Sequence, residues 1–99
     1  MKILLVCAGG MSTSILMKKM EKFWEEKGVP LRIKAVGLSE YSDVFSQYDI
    51  ILVGPQVSYR LKEIKEATGI PCDASPSFDY AIGNCENIME LANRLYSTK

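Results

Sequence analysis

Three features of the sequence predict an α/β fold built on a parallel sheet: four short apolar or β-branched runs, a helix-like stretch after each, and a length of 99 residues that leaves room for one core. The runs are residues 2–6, 31–36, 50–53 and 70–74, and their apolar character is that of strands covered on both faces. After the first, Leu16, Met20, Phe23 and Trp24 fall at i, i+4, i+7 and i+8. One side of a helix is thus apolar, while Lys18, Glu21, Lys22, Glu25 and Glu26 fill the other. That helix should stop near Lys27, since Gly28 suits a C-terminal cap and Pro30 cannot continue it. Residues 38–48 predict one short helix. Val57, Leu61 and Ile64 repeat the apolar spacing ahead of Gly69, and Cys85, Ile88, Ala92 and Leu95 repeat it further on. Lys22 with Glu26, and Lys62 with Glu66, are i, i+4 pairs of the solvent faces.

Strand and helix alternating four times argue for right-handed crossovers and for helices on both faces of a four-stranded sheet, in the flavodoxin-like order 2-1-3-4. No repeat or linker divides residues 1–99, which read as a single domain. In such sheets functional groups gather beyond the carboxyl ends of the strands, at the switch point beside the first strand. Cys7 stands there.

Charge and composition remove several classes of function. Lys plus Arg total 12 and Asp plus Glu total 12 without a long block of one sign, so the basic footprint of a nucleic-acid binder is missing and no nucleic acid is expected as partner. The absence of histidine excludes Ser-His-Asp and Cys-His nucleophile pairs and histidine zinc sites within this chain. Cys7, Cys72 and Cys85 are an odd number with no close pair, which fits neither a disulfide framework nor a zinc ribbon and suits a reducing cytoplasm. The apolar start is too short for a signal-peptide core and no stretch approaches the ~20 residues of a membrane span, so a soluble, untargeted, cytoplasmic chain is expected. No cofactor and no metal are expected.

Cys7, Ala8, Gly9, Gly10, Met11, Ser12, Thr13 and Ser14 read as the loop from first strand to first helix. Two glycines allow successive N–H groups to point into one concavity, and the hydroxyls of Ser12, Thr13 and Ser14 can add donors or cap the helix. Such a nest, with the positive end of a helix behind it, favours a thiolate or a phosphoryl group at Cys7. Cys7 should ionise more easily than a free thiol, and its place in a Gly-rich loop predicts that it is open rather than packed. Cys72, within a strand, and Cys85, on a helix stripe, read as core. There is no Gly-Lys pair for a nucleoside triphosphate and no dinucleotide fingerprint. The Cys, five residues, Arg pattern of low-molecular-weight tyrosine phosphatases, a related architecture, is nearly present, but Thr13 takes the arginine's place. A bidentate guanidinium would stabilise attack by water by about 2.7–4 kcal/mol, judged from other electrostatic donors, so this loop should hold a phosphocysteine better than it hydrolyses one.

The run from Cys7 to Ser14, the segment Gly54, Pro55, Gln56, Val57, Ser58 and Tyr59 after the third strand, and the chain length resemble the IIB components of the bacterial sugar phosphotransferase system, in their lactose/cellobiose (chitobiose) group. The resemblance implies a relay in which Cys7 is the nucleophile and phosphocysteine carrier, and Ala8, Gly9, Gly10, Met11, Ser12, Thr13 and Ser14 bind the phosphoryl oxygens. The donor would be a phosphohistidine of a cytoplasmic IIA partner. The acceptor would be a disaccharide of the cellobiose, chitobiose or lactose type entering through a membrane IIC partner. Gln56, Val57 and Tyr59, with Pro76, Ser77, Phe78, Tyr80 and Met11, could form an apolar docking rim, while Lys18 and Lys19 read as solvated. The rival reading is a phosphotyrosine-phosphatase-like hydrolase with Asp73 or Asp79 as general acid. A receiver domain wants acidic residues where Cys7 and Gly54 stand.

Overall fold

The computed structural model describes residues 1–7, 11–75 and 83–98, and the side chains of these apart from residues 11–13. The strands are β1 (Lys2–Val6), β2 (Arg32–Val36), β3 (Ile50–Val53) and β4 (Cys72–Ala74), and they form one sheet in the order β2-β1-β3-β4. Every pairing is parallel, with Leu4 opposite both Lys34 and Ile51, and Leu52 opposite Asp73. This is the predicted topology. β1 and β3 hold the centre because their side chains are apolar on both faces, and Ile3 through Val6 and Ile50 through Val53 are all buried. β2 is an edge strand, where Arg32 and Lys34 reach solvent.

The two faces are covered by different helices. Ile3, Leu5, Ile50 and Leu52 pack under α1 (Met11–Glu26), through Leu16, Met20 and Trp24, and under α4 (Cys85–Ser97), through Cys85, Ile88, Leu91 and Ala92. Leu4, Val6, Ile51 and Val53 pack against Tyr41 of α2 (Tyr41–Val44) and Ile64 of α3 (Leu61–Thr68). The alternation of neighbouring β1 residues between the two clusters follows from the period of two along a strand. No helix among the described residues is long and apolar enough to cross a membrane.

Four local readings change. Met11 to Ser14 belong to the first turn of α1 and not to a loop, because Ser and Thr suit a helix N-terminus as well as they suit a turn. Residues 38–48 hold two short pieces, α2 and a 3-10 turn at Phe45–Gln47, separated where Val44 leaves helical geometry. Val57 does not open α3: it lies at φ −122° inside a 3-10 segment, Pro55–Arg60, and α3 starts only at Leu61. Among the described residues the ion pair is Arg60 with Glu63, and neither lysine pair closes. The Arg60 guanidinium holds the Glu63 carboxyl below its ordinary value by hydrogen bonding, but an exposed pair adds little stability.

Asn84 starts α4, its side chain accepting from the Asn87 N–H at 3.3 Å. Gly83 just before it sits at φ +68°, and a Cβ there would lie 2.9 Å from Cδ of Lys19 on α1. Gly83→Ala is therefore expected to cost about 1–2 kcal/mol, read as a lower urea midpoint, mostly from the left-handed backbone. Adding Lys19→Ala should recover only a minor part, since a flexible side chain can move aside.

Cys72 and Cys85 are core residues, as predicted. Burial pushes the Cys72 thiol up from 9.0 to about 11 against the pull of Lys65, and raises Cys85 as well. The folded chain thus keeps protons that the unfolded chain has released. The stabilisation is complete below the ordinary thiol value of 9.0 and is lost as pH rises through about 11. Urea midpoints should fall between these limits, and Cys72→Ala should flatten that slope.

Candidate functional site

Cys7 directly follows the last residue of the central strand and is bracketed by the ends of its two neighbours. On the β2 side its backbone N–H donates to the Val36 carbonyl at 3.0 Å, and its Sγ lies 3.8 Å from the same oxygen. On the β3 side the Gly54 N–H donates to the Val6 carbonyl at 2.7 Å, and a Cβ at Gly54 would stand 3.4 Å from the Cys7 Cβ. Here the chain leaves β1 for β2 on one side and reaches β3 on the other, which is the switch point of the sheet.

This bracketing overturns one expectation. Cys7 is only 2% exposed and not open to solvent. A small side chain at the end of a central strand is walled by both neighbouring strands, and that outweighs the loop-like composition of the residues after it.

Helix α1 opens at Met11, so the N–H groups of Met11, Ser12 and Thr13 are among those that an α-helix leaves without an intrahelical partner. The first turn of α1 carries no acidic residue to compete for them, and Ser14 is exposed. A helix N-terminus of this kind attracts anions. Ala8, Gly9 and Gly10 lie outside the described residues.

Among the rim residues, Tyr59 is 75% exposed and Gln56 is exposed, whereas Val57 is buried as plain core. Pro76, Ser77, Phe78 and Tyr80 lie outside the described residues. Ile15, 56% exposed on α1, was missed by sequence reasoning; the available signal was an isoleucine one position off the Leu16, Met20, Trp24 stripe. Lys18 and Lys19 are exposed. Of the two candidate acids for a hydrolase, Asp73 is half-buried and its Oδ1 accepts from the Ala74 N–H at 2.8 Å, and Asp79 lies outside the described residues. No group of three or more potential metal ligands occurs among the described residues.

A parallel sheet in this order with helices on both faces is the fold of phosphotransferase-system IIB domains. The solution structure of the cellobiose-specific phosphotransferase IIB component from Borrelia burgdorferi matches with a TM-score of 0.84 and 36% identity, over 100% of this chain and 94% of that one. The family model described as "PTS system, Lactose/Cellobiose specific IIB subunit" matches residues 2–91, and the chain belongs to that family. The galactose-specific EIIB component of Lactococcus lactis subsp. cremoris is 32% identical over 101 residues, 94% of each chain. The lactose-specific EIICB component of Staphylococcus aureus is 33% identical over 66 residues, which are 67% of this chain and 12% of that longer protein. IIB subunits are components of sugar phosphotransferase systems, and this chain is one of the lactose/cellobiose type.

Proposed function

We propose that residues 1–99 act as one IIB domain, a cytoplasmic phosphoryl carrier that loads on Cys7 from a phosphohistidine of a IIA partner. The load then passes to a disaccharide of the cellobiose, chitobiose or lactose type during its entry through a membrane IIC partner. The observation that carries this reading is the position of Cys7, at the carboxyl end of the central strand and ahead of a helix N-terminus free of carboxylates. In the first step the donor's N–P bond breaks as an S–P bond forms. In the second the S–P bond breaks, a P–O bond forms, and the sugar hydroxyl gives its proton to a base on the membrane partner.

A thiolate is both nucleophile and leaving group, so one sulfur serves both steps. Phosphoryl transfer asks chiefly for in-line positioning and for charge spread over three oxygens. The backbone amides of Ala8, Gly9, Gly10, Met11, Ser12, Thr13 and Ser14 are the donors we assign to that task. The membrane partner draws support from the EIICB relative, in which the matching stretch is a small part of a longer protein. Because Cys7 is buried, loading requires that docking uncover the sulfur, and exposed Tyr59 and Ile15 are the apolar surface we assign to that docking.

The test is incubation with a phosphorylated IIA partner followed by peptide mass mapping. One added phosphoryl group on the peptide containing Cys7 is the expected result. A phosphoryl group on another residue, or release of inorganic phosphate as fast as it is accepted, overturns the carrier reading.

A further inference from the structure

We infer that the Gln56 carboxamide is a phosphoryl-binding group, the side-chain donor that holds the oxygens of a phosphate on Cys7 from the β3 side. The inference rests on the carrier reading above and adds a residue to it.

Gly54 directly follows β3. Its φ of −62° and ψ of 149° are open to any residue, so backbone conformation does not require glycine there. Space does. A Cβ at position 54 would meet Oε1 of Gln56 at 3.2 Å, Cβ of Cys7 at 3.4 Å and the Val6 carbonyl oxygen at 3.5 Å. Oε1 of Gln56 and Cβ of Cys7 thus both lie within 3.4 Å of one point beside Gly54, so the end of the Gln56 side chain and Cys7 share the same strand end.

Charge decides on which side a phosphoryl group would lie. Toward β2, Sγ faces the Val36 carbonyl oxygen, which suits a thiol that donates and opposes a phosphoryl group that only accepts. Toward β3, around Gly54, stands an amide with two N–H donors, and no hydrogen bond of the Gln56 side chain to the described residues is seen. Rotation about the last side-chain bond exchanges Oε1 for Nε2 at the same place. A neutral amide also fits a carrier. It binds an anion without the full charge of the arginine that Thr13 replaces, and so stabilises the loaded state without promoting attack by water as strongly.

The experiment compares the wild type with Gln56→Ala and Gln56→Glu, loading each from a phosphorylated IIA partner across pH 5 to 8. Gln56 is exposed, so urea midpoints should stay at the wild-type value. Loss of one hydrogen bond to a charged group predicts acceptance about tenfold slower or more in Gln56→Ala. Gln56→Glu should be slower still at pH 8, where a carboxylate faces the phosphoryl oxygens. It should recover toward wild type as pH falls and the carboxyl becomes a donor, a pH profile that a merely structural role would not produce. Wild type loading on Cys7 with both variants loading equally fast overturns this inference alone. Wild type that never loads on Cys7 overturns the carrier reading and this inference with it.

Discussion

Cys7→Ser is expected to accept no detectable phosphoryl group from a phosphorylated IIA partner while the wild type gains one. The hydroxyl and thiol are close in shape but not in chemistry. A thiol is a few per cent ionised near neutrality and intrinsically nucleophilic, whereas a serine hydroxyl needs an adjacent base. Histidine does not occur in the chain, and among the described residues the groups shown beside Cys7 are the Val36 carbonyl and Gly54, neither of them a base. The fold should survive the change, because among the described residues Sγ makes one long hydrogen-bond contact, to Val36 at 3.8 Å, and losing a contact of that kind costs about 1 kcal/mol or less. A urea midpoint near that of the wild type, together with lost loading, would assign the defect to chemistry. Equal loading of both proteins would remove Cys7 as nucleophile.

Trp24→Ala should be the most damaging single change to stability. Trp24 is fully buried where α1 meets the sheet, and its ring meets Phe23 edge-on with centroids 6.0 Å apart. Truncating a buried aromatic to alanine costs about 3–5 kcal/mol, a large share of the roughly 5–15 kcal/mol that holds a small domain together. The same residue supplies its own control. The indole Nε1 is buried and finds no hydrogen-bond partner among the described residues, and an unpaired buried donor costs about 1–3 kcal/mol. Trp24→Phe removes that donor while keeping most of the ring, so its urea midpoint, followed by circular dichroism, should lie much nearer the wild type than that of Trp24→Ala. Equal losses in the two variants would mean that the indole N–H is satisfied.

The sheet was legible because its central strands are short runs of Ile, Leu and Val, whose burial on both faces leaves no other reading. β4 was harder. Pro71 interrupts the apolar run, and pairing begins only at Cys72. Sequence placed Cys7, the nucleophile we propose, directly after β1 but misjudged its exposure: glycines and hydroxyls advertise a loop, while the flanking strands that bury Cys7 come from residues thirty and nearly fifty positions away. The role inferred for Gln56 was equally hidden. Nothing in the order Gly54, Pro55, Gln56 says that the end of the Gln56 side chain lies beside the same glycine as the Cys7 Cβ. Such relations belong to the crossing of two strand ends and have no signal along the chain.

All three cysteine thiols of this protein lie beneath its surface. Peroxide and small disulfides attack cysteines that are accessible and ionised, so a sheltered thiol climbs the oxidation ladder slowly. In the cycle we propose, the Cys7 sulfur spends part of every turn unloaded. Shelter at the end of β1 lets that atom wait between cycles without being consumed as sulfenic acid or capped by glutathione.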